Sequence, residues 1–232
     1  MAKAKTKSKT TSNKSLKKPS EKKAKYGRTF VAVLLDETAS MLGVKAETID
    51  GYNAYKNTLR DEGKGEILFT FVKFNSMKTE RVHDRIPIHR VPDLNALTYV
   101  PNHWTPLLDA IGNTVMSIDP QVIPGDKVIF VIQTDGQENS SHIYTKQRIK
   151  QMIEERIPRN WEFIFMGAEI DAYSEAASYG IGAGQTVFYN KVATKDVFGL
   201  VASSAVSLTS GMRSTNQATF SAEEKTKVEN KS

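Results

Sequence analysis

The sequence predicts an α/β protein: a doubly wound, mostly parallel central sheet with helices on both faces and one antiparallel edge strand. Three observations predict it. Two apolar runs, residues 30–35 and 128–132, are uninterrupted, as strands buried on both faces are, and each leads to a carboxylate: Asp36 directly, and Asp135 after Gln133 and Thr134. Segments with helical spacing of apolar residues alternate with further apolar runs, the pattern of strand–helix–strand units around a parallel sheet. One pair of strands is joined by a short connection in which Asn75 and Ser76 make a turn, which makes that pair a hairpin at a sheet edge.

Each element has its own signal. After the first strand, residues 45–60 carry Ile49, Tyr52, Tyr55 and Leu59 at helical spacing. Residues 66–74 and 81–91 read as the hairpin strands. Pro106 suits the first position of a helix, where its missing N–H costs nothing, and Leu108, Ile111 and Val115 define one face of a helix over 106–118. Residues 127–134 form a central strand, 145–156 an amphipathic helix, 161–166 a further buried strand and 171–179 a short helix. The glycine-rich stretch 180–184 lacks the Lys-Ser/Thr ending of a phosphate loop and follows a helix rather than opening one, so it reads as a connecting turn. Residues 185–189 form the last strand. A closing helix over 195–212 is apolar at Val197, Leu200, Val201 and Val206.

The ends differ from the middle. Residues 1–28 hold ten Lys and Arg28 against Glu21, a net +10 within a chain of net +6, which leaves −4 for the remainder. Residues 1–27 bury almost nothing and are expected to form a disordered basic tail. Residues 28–212 form the domain, and 213–232 are expected to be a frayed polar tail. The absence of Cys excludes disulfides and thiolate metal sites and fits a reducing compartment. No apolar run approaches the roughly 18 residues of a membrane span, and no signal-peptide core opens the chain, so a cytoplasmic location is expected.

The chemistry concentrates where the buried strands end. Asp36, Thr38 and Ser40 follow the first run at alternate positions, all of them hard oxygen donors of the kind that suit Mg²⁺ or Mn²⁺ rather than zinc. Thr105 precedes Pro106, and Asp135 ends the second run. The carboxyl ends of parallel strands are where open α/β sheets bind ligands, and right-handed crossovers bring these three loops to one edge.

On these residues the chain resembles the von Willebrand factor A family over roughly residues 28–212. The family's metal-ion-dependent adhesion site uses an Asp-x-Ser-x-Ser loop, a threonine from a Gly-Gly-Thr-Pro-Leu-like segment and an aspartate from a Thr-Asp-Gly-like segment. The resemblance implies Asp36, Thr38, Ser40, Thr105 and Asp135 as the metal's residues, Mg²⁺ (or Mn²⁺) as cofactor, and a partner protein whose Asp or Glu completes the coordination. It further implies a binding module without catalysis. Three departures stand out: Thr38 replaces serine, Ala39 replaces a glycine at some expected cost in loop freedom, and Trp104 replaces a glycine beside Thr105. Trp104, His103 and Glu138 are the expected rim of the partner-binding surface.

Plainer readings compete. Asp36 and Asp135 would cap helices among turn residues, which leaves the three matching loops unexplained, or the site would be a degenerate one without metal. The four histidines, 83, 89, 103 and 142, show no metal-ligand spacing, and His83 and His89 are expected at the surface of the edge hairpin. A metal-activated hydrolase lacks an evident general base near Asp36. A nucleic-acid-associated protein is the alternative, its basic tail binding DNA or RNA by counterion release while the domain recruits a protein. With no aromatic before Tyr26 the tail offers no stacking platform, so such binding would be non-specific.

Overall fold

A computed structural model describes residues 26–168, 171–215 and 217–230. The Lys-rich segment expected to be a disordered tail lies, but for Tyr26 and Gly27, outside the described residues. Six strands form one sheet: β1 (Arg28–Asp36), β2 (Glu66–Asn75), β3 (Lys78–Pro87), β4 (Lys127–Thr134), β5 (Trp161–Ala168) and β6 (Thr186–Tyr189). Their order is β3-β2-β1-β4-β5-β6, with every pairing parallel except β2–β3. The doubly wound sheet with one antiparallel edge strand is therefore as the sequence predicts.

Period-two alternation along β1 divides the core. Val31, Val33 and Leu35 face one apolar layer, with helices α1 (Lys45–Glu62) and α5 (Thr194–Thr209). Phe30, Ala32 and Leu34 face the other, with α2 (Leu107–Ile118), α3 (Lys146–Glu154) and α4 (Ala172–Ser178). α1 and α5 approach closely at Gly51, where an added Cβ would lie 2.4 Å from the Phe198 ring. Pro106 sits one residue before α2, at the N-cap, not inside the helix.

Two expectations need correction. The segment after Met212 is not a frayed tail over its described part. Arg213 forms two 2.8 Å bonds to the buried Glu162 carboxylate, Phe220 and Val228 are buried in the α1/α5 layer, and a sixth helix, α6 (Ala222–Glu229), starts at a Ser221–Glu224 capping box. The apolar pair is too widely spaced to show as a periodic face. His83 is half-buried against the Phe71 ring, and burial lowers its pKa; His89 is exposed, as expected.

Among the described residues no helix is long and apolar enough to cross a membrane.

Candidate metal centre

β1 and β4 are adjacent, so their carboxyl ends deliver Asp36 and the Thr134–Asp135 pair side by side. Asp36 is fully buried. Its Oδ1 accepts from the Thr38 backbone N–H at 2.8 Å and its Oδ2 from the Thr134 hydroxyl at 2.6 Å. Burial pushes its carboxyl up to about 7, against the hydrogen bonds from Thr134 and Thr38, which favour the ionised form. The chain then turns into a short 3₁₀ segment (Ala39–Val44). That turn brings the Ser40 hydroxyl 3.1 Å from the Thr38 hydroxyl and 2.5 Å from Asp135 Oδ1, to which it donates. Ala39 does not take up a left-handed conformation, so the missing glycine costs this loop nothing.

The third loop is stitched in by its backbone. The Asn102 N–H donates to Glu37 O, Ala39 N–H to His103 O, Ser76 N–H to Trp104 O, and Asn139 N–H to Thr105 O. His103 accommodates this at φ 69°, a left-handed conformation that costs a residue with a side chain of its size. The stitching buries Thr105 under the edge. A Cβ added to Gly136 would lie 2.9 Å from Thr105 Oγ1 and 3.7 Å from Ser40 Oγ, so the bare glycine leaves the gap into which these hydroxyls project.

The five sequence-predicted residues therefore come together. The rim residues divide. Trp104 is 68% exposed beside Thr105, and His103 is exposed. Glu138 is half-buried and both of its carboxylate oxygens are engaged: Oε1 accepts from the Ser140 and Ser141 N–H groups, and Oε2 from the Leu108 N–H and the Ser141 hydroxyl. It fastens the loop after β4 to the start of α2, and so serves the site's architecture rather than its outer surface. Asp109 does the same from α2, accepting the N–H groups of His142, Ile143 and Tyr144.

One residue sequence reasoning missed. Lys191, in the turn after β6, places its ammonium 3.0 Å from Asp135 Oδ2 and 3.4 Å from Ser40 O. Nothing in Asn190-Lys191-Val192 marks it; the sheet order alone brings it to the site.

The donor set suits a hard divalent cation. It offers two carboxylates and three hydroxyls, all oxygen, around a gap that a Cβ would fill. Buried Asp135 Oδ2 also lacks an aligned hydrogen bond even with the ammonium beside it. Among the described residues no group of three or more His, Cys, Asp or Glu gathers, so any metal here would depend on hydroxyl ligands.

No family model and no curated protein matches the sequence. Solved structures do match. The pilus adhesin SpaC from Lactobacillus rhamnosus GG, in its open conformation, is similar with a TM-score of 0.59 at 11% identity, over 79% of this chain and 30% of that one. The vWF domain of the type V pilus tip protein Mfa5 from Porphyromonas gingivalis gives 0.55 at 9%, over 77% and 94%. A von Willebrand factor type A protein from Catenulispora acidiphila gives 0.53 at 12%, over 78% and 43%. The chain thus spans less than half of two of these three. At such identities the likeness is one of fold: the chain shares the α/β architecture of these structures, among them von Willebrand factor A domains.

Proposed function

We propose that the chain is a divalent-metal-dependent protein-binding module without catalytic activity of its own. The observation that carries this reading is the convergence of Asp36, Thr38, Ser40, Thr105 and Asp135 from three loops onto one edge of the sheet. Mg²⁺ (or Mn²⁺) is the cation such donors suit. With only two carboxylates in the set, a bound cation would remain electron-poor and would take a further strong oxygen ligand, an Asp or Glu of a partner protein. Trp104 beside Thr105, Val192 beside Lys191, and Leu42 two residues after Ser40 are exposed and offer apolar side chains to a partner. The test is partner capture in Mg²⁺ and in EDTA, with wild type and Thr105→Ala. Capture that disappears in EDTA and in the variant is expected; capture that survives complete chelation places the interface elsewhere.

The second reading, a nucleic-acid-associated protein, is favoured by one observation: a net +10 over residues 1–28 against −4 for the rest. It is compatible with the first, the tail supplying non-specific affinity while the domain recruits a protein.

A further inference from the structure

Lys191 gives the metal centre a cation of its own. The residue opens the turn after β6, the last strand of the sheet and two places from β4. Its backbone is held: Ala193 N–H donates to Asn190 O, and the Thr194 hydroxyl donates to Lys191 O at 2.7 Å. The end of β6 is in turn fastened to β4 by a 2.9 Å bond from Gln133 Nε2 to the Tyr189 hydroxyl. From this fixed base the side chain reaches past the end of β5 to Asp135. The Asp135 side chain is wholly shielded from solvent, whereas that of Lys191 keeps 28% of its surface exposed.

A lone carboxylate buried in that position is costly, and here two stand in one site. The ammonium offsets that cost at Asp135. A lysine is a compact, strongly hydrated point charge on a flexible stem, so one with a path to water can swing out without disturbing the backbone. A divalent cation drawing on Asp135 Oδ2 would meet this +1 charge at close range, and the repulsion sets the two in competition for that oxygen. We propose, on the basis of the metal-binding reading above, that Lys191 is a tethered competitor of the divalent cation. Its ammonium neutralises Asp135 in the metal-free protein and leaves Oδ2 when the metal binds. The edge of the sheet then alternates between a lysine-paired and a metal-bound state, and metal binding carries the movement of Lys191 with it.

Calorimetric titration of Mg²⁺ into the full-length chain, wild type against Lys191→Met, tests this. Methionine keeps a long flexible stem and removes the charge. The expected result is Mg²⁺ binding about tenfold tighter or more in the variant, within the range of ordinary coupling between two ligands of one site. In EDTA the variant should melt below wild type, and Mg²⁺ should raise its Tm by more. Equal or weaker binding in the variant, with wild type still binding, overturns the competition and leaves the metal reading standing. Binding in the variant alone supports the competition in its strongest form. Absence of binding in both overturns the two together. If the variant does not fold, wild type itself answers: acylation of Lys191 by an amine-reactive reagent, read by mass spectrometry, should accelerate in Mg²⁺. An unchanged or slower rate overturns the proposal.

Discussion

Asp36→Asn isolates what the buried carboxylate costs and what it does. An asparagine there keeps the volume and an acceptor for the Thr38 N–H, and the Thr134 hydroxyl can reorient to suit an amide. Only the charge goes. Burial raises the Asp36 carboxyl from an ordinary 3.8 to about 7. At 1.36 kcal/mol per unit, that corresponds to at most about 4 kcal/mol of stability forfeited once the group must ionise in the folded state. Because the folded-state value is the raised one, the contribution is complete below pH 3.8, falls away as pH rises toward 7, and is absent at pH 8. In EDTA at pH 8 the variant should therefore be more stable than wild type. The Tm gain is several degrees, at about 2–4 °C per kcal/mol for a domain of this size. The advantage should shrink by up to about 3 kcal/mol on going to pH 5, where wild-type Asp36 is protonated when folded. In Mg²⁺ the order should reverse, since metal stabilises only the chain that binds it. Thermal melts at the two pH values, with and without Mg²⁺, read all of this. A variant that melts below wild type in EDTA at pH 8 would show the opposite, that Asp36 supports its loop as a charged acceptor.

Three further outcomes are expected. Trp104→Gly should retain fold stability and Mg²⁺ binding but weaken partner capture by about 2 kcal/mol, as truncation of a central aromatic does; a stability loss of roughly 3–5 kcal/mol in thermal melts would make the residue structural. Arg213→Ala should cost about 3–5 kcal/mol in denaturant unfolding, because it leaves Glu162 buried without its ion-pair partner; a cost near zero would mean that the segment after Met212 docks too weakly to count. Deleting residues 1–27, ten Lys and Glu21, removes a charge of +9. It should leave Mg²⁺ affinity unchanged in calorimetry and abolish any salt-sensitive DNA or RNA binding in mobility shifts; tight binding by the truncated chain would place the surface on the domain.

The legible parts of this protein are those whose signals are local. β1 and β4 announce themselves by apolar runs, 30–35 and 128–132, of the kind that strands buried on both faces carry, so the polar residues that follow, through Asp36 and Asp135, stand out as endings. Thr105 is legible through Pro106. The role of Glu138 is set by which N–H groups the folded loop turns toward it, and a glutamate among serines and asparagine reads equally well as solvated. Lys191 is invisible for the same reason: its partner is two strands away, and strand order is a global property. The docking of α6 was partly legible, since Ser221 and Glu224 spell a capping box, but Phe220 and Val228 give no periodic face from which to infer burial.

Everything proposed for this edge of the sheet depends on its holding a divalent cation. Titration of Mn²⁺ into the metal-stripped chain, followed by electron paramagnetic resonance, tests it most directly. One bound Mn²⁺ per chain is expected, displaced by Mg²⁺, lost in Asp36→Asn and weakened in Thr105→Ala. Free Mn²⁺ throughout, or binding of equal strength in all three proteins, would contradict it.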